Sequence, residues 1–84
     1  MNDYFLTFRS VTTAMRAGTL LRGAGIFNAT VRTPLALRQQ GCGYSLRVSE
    51  RSYAAAAALL RQNELPFRKL YRKLADGQWQ EVGE

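Results

Sequence analysis

The stretch YFLTFRS at residues 4–10 decides the fold that the sequence predicts. Its first five positions alternate and are rich in aromatic residues, which is typical of a half-buried strand with Tyr4, Leu6 and Phe8 facing the core. Ser10 follows as a good helix N-cap. The apolar stripe expected for the next helix consists of Val11, Ala14, Met15, Gly18 and Leu21. Residues 4–21 therefore predict a strand that leads directly into an amphipathic helix.

The same pattern recurs in the second half of the chain. Residues 44–48 alternate, and they predict a strand whose Tyr44, Leu46 and Val48 point inward. Ser49 is expected to cap the second helix, with the Glu50 carboxylate in the first turn at the positive end of the helix dipole. The buried stripe of this helix is expected to consist of Tyr53, Ala56, Ala57 and Leu60. The chain thus carries two strand–helix units of the same kind.

Three further segments complete the predicted sheet. Residues 27–32 form a strand that ends at Thr33-Pro34, residues 35–40 a short connection, and residues 67–74 a fourth strand. Asp76-Gly77 is a two-residue hairpin signal, after which residues 78–82 return as a short edge strand. The order β-α-β-β-α-β predicts an α+β fold, a ferredoxin-like sandwich with an antiparallel sheet, two helices on one face and an added C-terminal hairpin strand. We expect residues 1–84 to form a single domain.

Composition narrows the class of protein. Ten arginines and two lysines against six acidic residues give a net charge of +6. This charge favours an anionic partner, and the alternative is a soluble surface that is merely basic. No apolar run has the length of a membrane-spanning helix, and the N-terminus has no secretory pattern. A single cysteine forms no internal disulfide, which fits a reducing compartment. We therefore expect a cytoplasmic protein.

Cys42, the single cysteine, is flanked by Gly41 and Gly43, which leave the sulfur uncrowded. The predicted topology places it beside the N-terminus of the first helix. The groups expected around it there are Ser10, Arg9, Arg32, Arg38 and Arg68. A helix N-terminus and nearby cations are the features that lower the pKa of a thiol and raise its thiolate fraction. The alternative is a small residue that fills a turn, with a thiol of no chemical role.

Other sites are poorly supported by the sequence. The six acidic residues are scattered and there is no histidine, so no metal site and no cofactor are expected, and most acid–base enzymes are disfavoured. Gly23-Ala24-Gly25 follows the first helix and is interpreted as its C-cap.

Two rival functions remain open. Ferredoxin-like domains can stack RNA bases on outward aromatic residues of the central strands, but here only Phe5 among Phe5, Thr7, Arg9, Ser45, Arg47 and Ser49 is aromatic. Nucleic-acid binding is therefore disfavoured. Phe5, Leu70 and Trp79 are expected to form an apolar patch on the open face of the sheet, which suits a homodimer or a scaffold domain with an incidental cysteine.

Three segments resemble one known family: YFLTFRS at 4–10, QGCGYSLRV at 40–48 and LPFRKLY at 65–71. Over about residues 4–72 the chain resembles the small-domain family of Se/S carrier protein-like proteins, with residues 75–84 outside the match. The resemblance implies that Cys42 carries a persulfide or perselenide from a cysteine desulfurase-type donor to an acceptor protein. It also implies a carrier rather than a turnover enzyme. A thiolate or persulfide held by backbone N–H groups and arginine needs no metal and no histidine.

Overall fold

The computed structural model describes residues 3–37 and 43–82. In chain order the elements are β1 (Asp3–Thr7), α1 (Val11–Gly23), β2 (Ala29–Arg32), a 3-10 turn at Leu35–Leu37, β3 (Tyr44–Ser49), α2 (Tyr53–Gln62), β4 (Lys69–Lys73) and β5 (Trp79–Glu81). Within these residues the strands form one antiparallel sheet of five strands in the order β2-β3-β1-β4-β5. The predicted α+β class, with two helices and an antiparallel sheet, is confirmed.

The core lies between the sheet and the two helices. Tyr4, Leu6 and Phe8 of β1 and its extension face the helices, as predicted, and they pack with Leu46 and Val48 of β3. The aromatic ring of Tyr4 stacks on that of Tyr53 in α2, with centroids 3.9 Å apart. Burial of these side chains supplies most of the free energy that holds the helices on the sheet.

The cap predicted for α1 is confirmed, but part of its predicted core face is wrong. The Ser10 hydroxyl accepts a hydrogen bond from the Thr13 N–H at 3.2 Å. The buried face of α1 consists of Ala14, Ala17, Gly18 and Leu21. Val11 and Met15 are 39% and 59% exposed. Successive helical residues are rotated by about 100°, so Met15 points well away from the direction of Ala14.

The predicted start of α2 is also wrong. Ser49 remains in β3, where it pairs with Asp3, and residues 49–52 form a turn closed by the Ser52 N–H donating to the Ser49 carbonyl at 3.0 Å. The helix begins at Tyr53, with Ser52 in the N-cap position. Glu50 therefore precedes the helix instead of occupying its first turn. The buried residues Ala56, Ala57 and Leu60 agree with the prediction.

The β4–β5 connection differs from the predicted two-residue turn. Its loop has three residues, Ala75, Asp76 and Gly77, and it is closed by the Leu74 N–H donating to the Gln78 carbonyl at 2.8 Å. Gly77 has a φ of 87°, a conformation that glycine adopts without strain. A turn followed by a glycine in this conformation is a common three-residue hairpin. Both paired segments are shorter than predicted, since β4 is Lys69–Lys73 and β5 is Trp79–Glu81.

Both helices end in the same backbone motif, which needs one residue with a positive φ, but the residue at that position differs between them. After α1 the Ile26 N–H donates to the Leu21 carbonyl at 2.8 Å and Gly25 has a φ of 81°, as suits the predicted glycine cap. After α2 the Leu65 N–H donates to the Leu60 carbonyl at 3.0 Å, and the left-handed position is held by Glu64 with a φ of 55°. A residue with a Cβ atom is strained in this region.

Replacing Glu64 by glycine is therefore expected to stabilise the protein. Glycine relieves the strain of the left-handed conformation in the folded state, but it also gives the unfolded chain more conformational freedom. The balance predicts a gain of about 0.5–1 kcal/mol in the free energy of unfolding. Urea denaturation measures it. Glu64→Ala is the matched control because it removes the carboxylate and keeps the Cβ atom. An equal gain in both variants would assign the effect to charge and contradict the backbone explanation.

Candidate functional site

The candidate site lies at one end of the sheet, where β1 and β2 finish and β3 and β4 begin; we call it the site end. Thr7, the last residue of β1, pairs with Ser45 in β3 and with Lys69 in β4. Arg32, the last residue of β2, pairs with Tyr44. The N-terminus of α1, the connection between β2 and β3 and the segment that precedes β4 therefore all start or finish here.

Gly43 anchors the connection that contains the candidate cysteine. Its carbonyl accepts a hydrogen bond from the Thr33 N–H at 2.8 Å, which extends the pairing of β2 and β3 by one step. Open space surrounds the position of a Cβ atom at Gly43. Three of the predicted site residues lie outside the described residues: Arg38, Gly41 and Cys42.

The other predicted site residues all lie at the site end. Arg9 and Ser10 follow β1, and the Arg68 N–H donates to the Thr7 carbonyl at 2.7 Å, so Arg68 is held directly beside β1. Arg32 lies across β3 from them, with its guanidinium 5.5 Å from the centre of the Tyr44 ring. Arg9 and Arg68 therefore form one group, and Arg32 is separate from it.

Arg9 and Arg68 line a basic cavity of about 560 Å³. Arg16 from the second turn of α1 and Lys69 from β4 contribute further positive charge, and Glu64 contributes the opposing carboxylate. Lys69 is also paired with Glu81 at 3.2 Å, an exposed ion pair that adds little stability. Arg16 and Lys69 are not among the residues predicted for the site, and the position of Lys69 directly after Arg68 is the one signal in the sequence that points to it.

Hydroxyl side chains stiffen the site end on the face of the sheet away from the helices. The hydroxyls of Thr33 and Ser45 lie 2.6 Å apart, and both residues are buried. The Thr7 hydroxyl accepts a hydrogen bond from the Lys69 N–H at 3.1 Å. These bonds tie β2 to β3 and β1 to β4 where the strands meet the connecting segments. These bonds depend on strand register, so no pattern in the sequence indicates them.

The site end is suited to anions. The positive end of the α1 dipole points toward it, and the arginines add full charges around it. Within residues 3–37 and 43–82 no three potential metal-ligating side chains come together. In the same part of the chain no helix is long and apolar enough to cross a membrane.

The open face of the sheet differs from its predicted form. Leu70 belongs to the core on the helix side, where it pairs with Leu6 and is 2% exposed, so the predicted patch of Phe5, Leu70 and Trp79 is wrong. Its place beside Phe5 is taken by Tyr71. The Phe5 ring is itself covered by Trp79, edge to face with centroids 5.0 Å apart, and Phe5 is only 8% exposed. Phe5 therefore offers no free ring face on which an RNA base could stack.

The fold and the site end define a small α+β domain with an anion-attracting sheet end from which a cysteine-containing connection extends. The model of one protein family, described as "Putative Se/S carrier protein-like", matches residues 3–72 of the 84, and the chain belongs to this family. No curated protein and no solved structure matches the chain significantly.

Proposed function

We propose that the protein is a carrier of sulfur or selenium and that Cys42 holds the cargo as a persulfide or perselenide. The observation that carries the proposal is the family match, because it spans residues 3–72 and so includes the chain's single cysteine. A carrier needs one reactive thiol and no second cysteine that would close a disulfide and expel the cargo. The chain has a single cysteine, which meets the second condition, and we propose that its thiol meets the first.

The chemistry is a transfer between thiols that balances without an outside oxidant. The Cys42 thiolate attacks the terminal sulfur of a persulfide on the donor protein, a sulfur–sulfur bond forms, and the donor's own sulfur–sulfur bond breaks. The donor leaves as a thiolate, and Cys42 becomes the persulfide. Attack by an acceptor thiolate on the terminal sulfur repeats the exchange and regenerates the Cys42 thiolate. A selenium atom in the terminal position follows the same sequence.

The surroundings of Gly43 support this role for its neighbour in the chain. Arg9, Arg68 and the N-terminus of α1 lie at the same end of the sheet, and positive groups favour the thiolate over the thiol. The strand order is consistent with a ferredoxin-like sandwich, in which this end collects the connection between β2 and β3 and the start of α1. We propose Arg32 and Arg38 as further cations of the site and Gly41 as the second residue that leaves the sulfur uncrowded.

The partners of a carrier are proteins. We propose a cysteine desulfurase-type donor and a thiol-bearing acceptor, both met in the reducing cytoplasm. The direct test is the intact mass after incubation with a cysteine desulfurase and cysteine. We expect a gain of one sulfur atom that reductant reverses. An unchanged mass beside an active desulfurase would contradict the proposal.

Cys42 is also expected to react with iodoacetamide faster at neutral pH than free cysteine does. Only the thiolate reacts, and the cations at the site end are expected to lower the thiol pKa, so the excess rate should be largest on the acidic side of neutrality. Stopped-flow alkylation as a function of pH measures it. Arg9→Gln should slow the reaction, whereas Arg47→Gln, on the open face, should not. A rate limited by global unfolding would contradict an accessible thiolate.

A further inference from the structure

The outward side of α1 carries an exposed methionine among polar residues. Met15 is 59% exposed, although its helix already buries a complete face of small residues and Leu21 against the sheet. Met15 and Leu20 of α1, with Leu65 from the segment after α2, line a cavity of about 720 Å³. Its other lining groups are Thr12, Thr19 and Arg16. Among the described residues, Met15 is not one of the apolar side chains packed against the core.

This apolar cavity adjoins the basic cavity at the site end, and Arg16 and Leu65 line both. We call the combined surface the α1 groove. It has an apolar part at Met15, Leu20 and Leu65. Its basic part is lined by four cationic side chains and the Glu64 carboxylate, the cations being Arg9, Arg16, Arg68 and Lys69. Its basic part adjoins the end of β1. A segment that lies in the groove would therefore approach the end of the sheet to which the cysteine-containing connection is attached.

We infer that the α1 groove is the docking site for a segment of the partner protein that carries acidic residues beside an apolar anchor. The anchor occupies the part of the groove at Met15, and the carboxylates meet Arg9, Arg16 and Arg68. The inference rests on the proposed function, since a carrier must hold each partner while sulfur moves between thiols. Charge around the apolar contact adds to the association rate and to specificity.

Charge and side-chain type select this occupant over two others. A second copy of the chain brings a net charge of +6 against the same basic rim, so self-association through the groove is opposed by repulsion. Nucleic acid meets the charges, but the lining of the apolar part has no aromatic ring on which a base could stack. In the basic part the Phe67 ring is half-buried and lies under the Arg61 guanidinium, 5.3 Å from the ring centre. Methionine suits a surface that accepts different apolar anchors, because its side chain is flexible and polarisable.

The probe is a fluorescein-labelled acidic peptide with two leucines spaced one helical turn apart, and its binding is followed by fluorescence anisotropy. We expect saturable binding that weakens with salt and that is lost when serine replaces both leucines. Met15→Gln and Arg16→Glu are each expected to weaken binding by about tenfold, the effect of losing one well-placed contact. Phe27→Gln and Arg47→Glu are the matched controls, because both residues are exposed and lie outside the groove. Neither control should change the affinity more than about twofold.

Equal losses in Arg16→Glu and Arg47→Glu would overturn the inference, since they would show attraction to net charge alone. Tight binding of a single-stranded RNA with no peptide binding would overturn it in favour of nucleic acid, and a concentration-dependent dimer broken by Met15→Gln would overturn it in favour of self-association. Cys42→Ala should bind the peptide normally, so docking is measured apart from carriage. Sulfur loading with no docking contradicts only this inference, and docking with no loading contradicts only the proposed function.

Discussion

Replacing Cys42 by alanine is expected to abolish sulfur delivery to an acceptor while leaving the fold intact. The chain has one cysteine and no histidine, so no other side chain can replace it as a soft nucleophile. Alanine keeps the Cβ atom of cysteine and removes a single sulfur atom, so we expect the variant to fold. Transfer of labelled sulfur from a desulfurase to an acceptor thiol, measured with and without this protein, quantifies delivery.

The same variant separates the carrier from a scaffold with an incidental cysteine. A scaffold brings the two partners together through its surfaces, and Cys42→Ala should then retain the full stimulation of transfer. Circular dichroism and the urea midpoint serve as controls that the variant is folded. Full stimulation by a folded Cys42→Ala protein would contradict the carrier function, and its complete loss is the result that we expect.

Replacing Phe8 by alanine is expected to have the largest effect on stability. Phe8 is fully buried in the core between sheet and helices, and truncation of a buried phenylalanine costs about 3–5 kcal/mol. Small domains have only about 5–15 kcal/mol of total stability. We therefore expect the urea midpoint to fall by a large fraction of its value, or the variant to be unfolded without denaturant.

Phe27→Ala is the matched control for this prediction. It makes the same chemical change at a residue that is 84% exposed, where little apolar area is removed from water on folding. Its free energy of unfolding should change by no more than about 0.5 kcal/mol, as is usual for surface positions. Similar losses in Phe8→Ala and Phe27→Ala would contradict the placement of the core.

The sequence predicts the first strand and the cap of the first helix well, because these depend on local patterns. Alternation identifies Tyr4, Leu6 and Phe8 as the buried face, and Ser10 caps α1 as its chemistry suggests. The start of α2 fails for a physical reason. Ser49 and Ser52 are both suitable caps, and only the pairing of Ser49 with Asp3 in the sheet decides that the helix begins later.

Features that depend on tertiary contacts are where prediction from the sequence fails. Met15 and Leu70 are both apolar, and a pattern does not reveal that one is exposed on α1 while the other lies in the core. The register of β4 is ambiguous because cationic and apolar pairs alternate in residues 67–74. Pairing with β1 resolves it, and it places Leu70 opposite Leu6.

One part of the candidate site was predictable, because it follows from the order of the strands and helices along the chain. The order of elements alone brings Arg9, Ser10 and Arg68 to one end of the sheet, and the structure places them there. The α1 groove was not predictable, because it exists only through the approach of Leu65 to α1. That approach follows from the turn at Glu64, whose backbone conformation is unusual for a residue with a side chain.

The most direct test of the central claim is the mass of the tryptic peptide 39–47, which contains Cys42, after the folded protein has met a cysteine desulfurase and cysteine. Alkylation before digestion traps a persulfide on the peptide that carries it. The carrier function predicts that this peptide gains one sulfur atom and that reductant removes it. A peptide 39–47 without added sulfur, recovered from a reaction in which the desulfurase has turned over, would contradict the account.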